Sequence, residues 1–249
     1  MILRVVFHRK THRFPAAILA LLVERMSVNR ILPRDFYDRP SAKVARDLLG
    51  KLLWRETAEG KCGGRIVEVE AYEGATDSAA HSFRGKTPRN ASMFGPPGHA
   101  YVYAIHSRWC VNVVTEPEGV ATAVLIRAIE PLFGLELMAK RRSESLLARR
   151  ERLAARNSVQ PRGPAVELII PPRDLCRGPA RLCEALAINR QQDGLDLTLG
   201  REIWIEDDPE FKLSPKMLRR SPRIGISTAR EKLLRFLVAD SPFVSGKRQ

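Results

Sequence analysis

Two glutamates and a tyrosine, each two residues apart, give this 249-residue chain its first candidate chemistry: Glu68, Glu70 and Tyr72 in GRIVEVEAY, residues 64–72. As a strand of period two, Val67, Val69 and Ala71 point one way, and Ile66, Glu68, Glu70 and Tyr72 the other. Two carboxylates and a phenol then share one face, where a carboxylate can activate water as a general base. Residues 79–112 add His81, Tyr101, Tyr103, His106 and Trp109 in a protein with only 6% aromatic residues. Alone, each has an ordinary explanation: the tyrosines as core residues on strands, His81 as a satisfied structural histidine, Glu70 as an exposed strand carboxylate.

The setting narrows the options. Lys and Arg number 42 against 28 Asp and Glu, a net charge of +14, which points to a polyanionic partner and foremost to nucleic acid. Aromatic faces can stack on bases for about 1–3 kcal/mol each. Chemistry on a duplex base requires the nucleotide to leave the stack. Charge, stacking surface and carboxylate together suggest an enzyme that flips a base and hydrolyses its glycosidic bond. A non-catalytic nucleic-acid-binding protein explains the charge equally well, but not the carboxylate among the aromatics.

Other chemistries lack their motifs. The cysteines Cys62, Cys110, Cys176 and Cys183 form no C-x-x-C pair, and His106 near Cys110 is too little for a metal site. There is no G-x-G-x-x-G after a strand, no Walker loop, no H-E-x-x-H and no zinc-deaminase pattern. Four cysteines in a chain this long favour a reduced, cytosolic compartment. The longest apolar run, 15–23, is too short to span a membrane. Residues 1–28 read as a basic and apolar extension outside the fold, with Met26 an alternative start, and 29–249 as one domain.

The elements that must position these residues follow from pattern. Ser41 caps a helix to Leu49, stopped by Gly50. Strands are expected at 52–55, 64–72, 100–105, 110–115, 121–129, 202–206, 223–226 and 234–239. Short helices are expected at 78–81 and 180–188, with a capping-box turn from Thr228 to Glu231. Residues 135–155 form an arginine-rich helix whose apolar face breaks near Ser143. With the proline-rich 157–172, this makes an insertion near 140–172. Short strands mixed with helices, without β-α alternation, indicate an α+β domain around a mostly antiparallel sheet.

At this point the chain resembles the alkyladenine (3-methyladenine) DNA glycosylase family. The resemblance rests on E-A-Y (70–72), A-A-H-S (79–82), T-P-R-N (87–90), Y-V-Y (101–103), L-I-R-A-I-E-P (125–131), G-P-A-R-L-C-E-A-L-A-I-N (178–189), P-R-I-G-I (222–226) and S-P-F-V-S (241–245), and it covers about residues 30–246. It implies a single curved, mostly antiparallel sheet surrounded by helices, and a base-excision repair enzyme using neither metal nor cofactor. It implies double-stranded DNA as partner, a monomer, and a cytoplasmic setting. Alternation leaves Glu68 and Glu70 unseparated; the resemblance selects Glu70 as the residue that deprotonates the attacking water. It gives Arg127 a place beside that water, with the Val244 backbone nearby. Tyr72 and His81 match one side of the flipped base, Tyr103 the opposite wall, and Asn112 the pocket floor that opposes the exocyclic amine of guanine. Thr87 and Arg89 fall in a segment suited to phosphate contact. His106 stands where the family has an intercalating tyrosine. The stretch before Asn112 is one residue shorter, which leaves open whether His106 or Trp109 wedges into the duplex.

Overall fold

The computed structural model describes residues 30–156 and 168–246. The extension 1–28, the greater part of the 157–172 segment and the last three residues lie outside the described residues. The compact unit beginning at Ile31 is built on one eight-stranded sheet. Its strands are β1 (Leu52–Thr57), β2 (Gly60–Tyr72), β3 (Ala100–Ile105), β4 (Arg108–Thr115), β5 (Thr122–Phe133), β6 (Ile203–Glu206), β7 (Leu218–Ser221) and β8 (Arg235–Val238). The main path runs β3-β4-β5-β2-β1-β6, and β8 pairs with both β2 and β7. Each strand pairing is antiparallel. The α+β class expected from the pattern is therefore the fold observed.

Helices cover the sheet. They are α1 (Arg34–Tyr37), α2 (Ser41–Leu48), α3 (Leu135–Arg156), α4 (Pro172–Leu175) and α5 (Pro179–Ala185). Val44, Ala45 and Leu48 of α2 and Leu182, Cys183 and Ala185 of α5 enter one apolar core with Val69, Ala71, Val113 and Ile126 of the sheet. Burying one such aliphatic side chain contributes about 1.5–3 kcal/mol. Pro40, not Ser41, caps α2: its carbonyl accepts the N–H groups of Lys43 and Val44. Gly50 does end that helix, at φ +88°, where a Cβ would lie 2.5 Å from the Phe211 ring.

Three other expectations fail for local reasons. Residues 78–81 form turns, because Asp77 takes the N–H groups of Glu73 and Ala79. Residues 223–226 are not a strand. Pairing stops at Ser221 before Pro222, Arg223 turns inward to Asp77, and the Ile224 N–H goes to Glu70. Thr228 starts no helix, the local feature being a turn from Ala229 to Lys232.

The arginine-rich helix α3 is unlike a solvated rod. Its buried residues are Met138, Arg141, Arg142 and Ser143. Arg141 reaches Glu59 and Thr57, and Arg142 pairs with Glu184 of α5. The expected break near Ser143 is thus the polar part of an inward face.

The β2–β5 ladder is where the sheet departs from regularity. Ile66 pairs with Ile129, Glu68 with Ala128 and Val69 with Ile126, so Val67 is an extra residue on β2 and Arg127 one on β5. Bulges of this kind re-aim side chains. Ile66, expected beside the carboxylates, instead joins the apolar core with Val69 and Ala71. Period-two counting cannot pass through a bulge.

Candidate active site

Glu68 and Glu70 lie in the middle of the sheet, with β5 on one side of β2 and β8 on the other. Both carboxylates are fully buried. Buried charge persists only when paired and hydrogen-bonded. Arg127, delivered by its bulge, donates from Nε to Glu68 at 2.8 Å and lies 3.2 Å from Glu70 through Nη1. Arg235 of β8 donates to Glu68 at 2.7 Å. The four charges cancel. Burial alone would lower the Arg127 pKa, but Glu70 and Glu68 outweigh it and hold the guanidinium above its ordinary value.

The two glutamates differ in what surrounds them. Glu68 accepts from Arg127, from Arg235, and from the Ser245 hydroxyl and backbone N–H at 2.8 and 2.6 Å. Three of the four fall on Oε1 and one, the Ser245 N–H, on Oε2. Glu70 accepts two hydrogen bonds, from the Tyr72 hydroxyl at 3.0 Å and the Ile224 N–H at 2.7 Å, and forms an ion pair with Arg127. One acceptor position remains, on Oε2. Glu68 is thus the more heavily engaged of the two, a difference that alternation could not show.

Tyr72 stands at the end of β2 with its hydroxyl on Glu70. Its ring packs on the Arg223 guanidinium, centred 4.6 Å away. Arg223 is itself fully buried and doubly bonded to Asp77. Burial would raise the Asp77 pKa, but the Arg223 bonds and two backbone N–H groups bring it below its usual value. Burial, and then Glu70, push the Tyr72 phenol well above its normal range, so it stays a proton donor.

Tyr101 and Tyr103 share a face of β3, as alternation predicts, with ring centroids 5.3 Å apart. His81 joins them. Its Nδ1 lies 2.8 Å from the Tyr101 hydroxyl, and its ring meets Tyr103 edge-on at 4.4 Å. This corrects the expected arrangement. Rings in direct contact leave no gap between them, so His81 groups with Tyr103 and not with Tyr72. Although His81 lies at the surface, burial of its tyrosine-facing side lowers its pKa, favouring neutral imidazole. Asn112, buried on β4 opposite Tyr101, is oriented by donating to the Tyr101 carbonyl at 2.9 Å.

The β3–β4 hairpin closes in two residues, His106 and Ser107, both left-handed at φ 46° and 63°. Two-residue hairpin turns require this geometry. Histidine tolerates it far better than bulkier side chains, which accounts for a histidine in the shortened loop. His106 is exposed at the tip beside Ile105, itself 44% exposed. Trp109 packs against the core. Of the two wedge candidates, His106 is therefore the one presented outward.

The remaining predicted residues lie apart from the carboxylates. The Thr87 N–H and hydroxyl both go to Asn90, whose amide ties the loop to the His81 and Gly85 carbonyls. Arg89 is exposed with Arg84 and Lys86. Val244 lies on the segment that closes over Glu68. Its carbonyl accepts from Arg177 at 2.8 Å, and its neighbour Ser245 makes the contacts to Glu68. Sequence reasoning missed Arg235, Ser245, Arg223 and Asp77. Arg235, a charge on an otherwise apolar strand, was the one visible signal. Among the described residues no group of three His, Cys, Asp or Glu could hold a metal ion, and no helix is long and apolar enough to cross a membrane.

Comparison with known proteins bears on this geometry. Residues 35–242 match the family model for methylpurine-DNA glycosylase. The chain belongs to the methylpurine-DNA glycosylase family. Its similarity extends to proteins named "Putative 3-methyladenine DNA glycosylase". One from Burkholderia lata is 47% identical over 218 residues, covering 87% of this chain and 91% of the relative. Another, from Koribacter versatilis, is 44% identical with 87% and 94% coverage. A third, from Methanocella arvoryzae, is 42% identical with 87% and 96% coverage. As a methylpurine-DNA glycosylase family member the chain is a DNA-repair enzyme acting on DNA, in keeping with its basic charge.

Proposed function

We propose that this glycosylase flips alkylated purines (3-methyladenine and 7-methylguanine) and deaminated purine (hypoxanthine) out of duplex DNA and hydrolyses the N-glycosidic bond, leaving an abasic site. The observation that carries this reading is the buried Glu70 with one acceptor position open beside Arg127 and Tyr72. A water held there loses its proton to Glu70 as it attacks C1′. The carboxylate also stabilises the developing oxocarbenium ion. The base sits between Tyr72 and the His81–Tyr103 wall, where ring faces attract a cationic alkylpurine. Asn112 closes the floor, and its volume disfavours the exocyclic amine of guanine. His106 enters the gap left in the duplex, and Arg89 meets the phosphate backbone. The enzyme acts as a cytoplasmic monomer without a covalent intermediate.

The test is Glu70→Gln, which keeps the shape and removes the base. Excision of 3-methyladenine and hypoxanthine from duplex substrates should vanish while duplex binding stays within a few-fold of wild type. Full turnover by the variant would overturn the assignment.

A further inference from the structure

A second cluster of positive charge lies outside this site. Arg108 of β4, Arg142 and Arg149 of α3, and Arg181 of α5 line an open cavity of about 420 Å³, with Asp174 the one acidic side chain among the described residues that line it. Arg142 is 5% exposed, and its Nε has no hydrogen-bond partner among the described residues. A buried donor left unmet costs about 1–3 kcal/mol. Glu184 pairs with Arg142, and Asp174 with Arg181. Asp174 also lies near Arg173 and Arg177. Four guanidiniums therefore face two carboxylates, one of them shared. Burial and then the nearby Arg181 lower the Arg142 pKa, a crowding of like charges that an anion would relieve.

The cavity's position says which anion. Arg108 pairs with Ile105 directly below the His106–Ser107 turn. On the other side, Asp174 leads through Arg177 to the Val244 carbonyl and so to Ser245 beside Glu68. The cavity thus adjoins the base of the hairpin through Arg108 and is linked through Arg177 to the segment that carries Ser245. We infer that this cavity is a phosphate-binding site that seats a DNA backbone phosphodiester next to the wedge, with Arg142 as its buried donor and Arg108, Arg149 and Arg181 as its rim. The inference rests on the glycosylase reading for the direction from which DNA approaches. Guanidinium groups suit it because their forked donors match phosphate oxygens.

The experiment compares wild type with Arg149→Gln/Arg181→Gln, both outside the reaction centre, and with the exposed Arg149→Gln alone in case the double variant folds poorly. Binding of an unmodified duplex is measured across a salt series, single-turnover excision at saturating enzyme, and thermal stability with inorganic phosphate and with a mononucleotide. The expected result is a log–log salt dependence shallower by about one to two for the double variant and about one for the single, with saturated excision unchanged. Slopes parallel to wild type would overturn the inference. Phosphate or mononucleotide stabilisation lost in the variant, with equal duplex slopes, would make this a free-anion site and overturn it equally. Salt-dependent duplex binding without excision by wild type would sink the glycosylase reading alone, the slope comparison still deciding the phosphate site.

Discussion

Glu68→Gln separates structure from chemistry within the paired carboxylates. The substitution leaves Arg127 and Arg235 buried with one charge gone and replaces one oxygen by an amide nitrogen. If that nitrogen takes the Oε2 position, it faces the Ser245 N–H, donor against donor, at a site now spanned in 2.6 Å. If it takes the Oε1 position, it faces both guanidiniums. Neither rotamer satisfies the donors. Breaking a buried ion pair costs about 3–5 kcal/mol, and for a domain of this size each kcal/mol lowers Tm by about 2–4 °C, so a fall of about 6–20 °C is expected. Glu70→Gln is milder. Its remaining oxygen can still accept from Ile224 and Arg127, and the amide can donate to a Tyr72 hydroxyl that has rotated. The ion pair with Arg127 is lost as well, but Arg127 keeps Glu68 as a partner, so the cost is that of a charged hydrogen bond, about 1.5–3 kcal/mol, or roughly 3–12 °C. Thermal melts and single-turnover excision well below both Tm values decide the matter. Glu68→Gln should be fragile with residual excision, Glu70→Gln sturdier and inactive. A Glu68→Gln protein melting with wild type, or melting above Glu70→Gln, would refute the donor-count argument.

Two other perturbations test the walls and the wedge. His106→Ala should weaken binding to a lesion duplex by about fivefold, equivalent to about 1 kcal/mol of lost stacking, with unmodified duplex little changed. His106→Tyr should strengthen lesion binding, and equal flipping by wild type and His106→Tyr would remove the wedge from this position. Because burial lowers the His81 pKa, the unfolded chain takes up that proton first. Its contribution is nil above pH 6.5, and stability is lost as pH falls through 6.5 toward the folded value. An NMR titration should place the His81 midpoint below 6.5, and a midpoint above it would contradict the packing described.

What the sequence made legible were features of short range. Alternation located β3 with its paired tyrosines, and the run through Gly64 to Tyr72 located the carboxylates. Partnerships across long separations were not legible. Nothing local says that Asp77 meets Arg223 or that Glu68 meets Ser245, since those contacts exist only after the sheet has assembled. The inward arginines of α3 were hidden for the same reason: their partners Glu59 and Glu184 come from distant elements. The strand expected at 223–226 failed because the carboxylate it serves outcompeted the ladder for the Ile224 N–H.

The two bulges between β2 and β5 carry a further consequence. The extra residue at Val67 is matched by the extra residue at Arg127, so the pairing beyond them returns to the register it had before. Removing either residue alone would slip one half of the ladder against the other, whereas removing both would leave every outer pair where it stands. Between Gly64 and Tyr72 the two extra residues thus form a self-cancelling insertion in the ladder, separate from the register shift at Gly63. Along this stretch a single deletion is costly where a paired one is not.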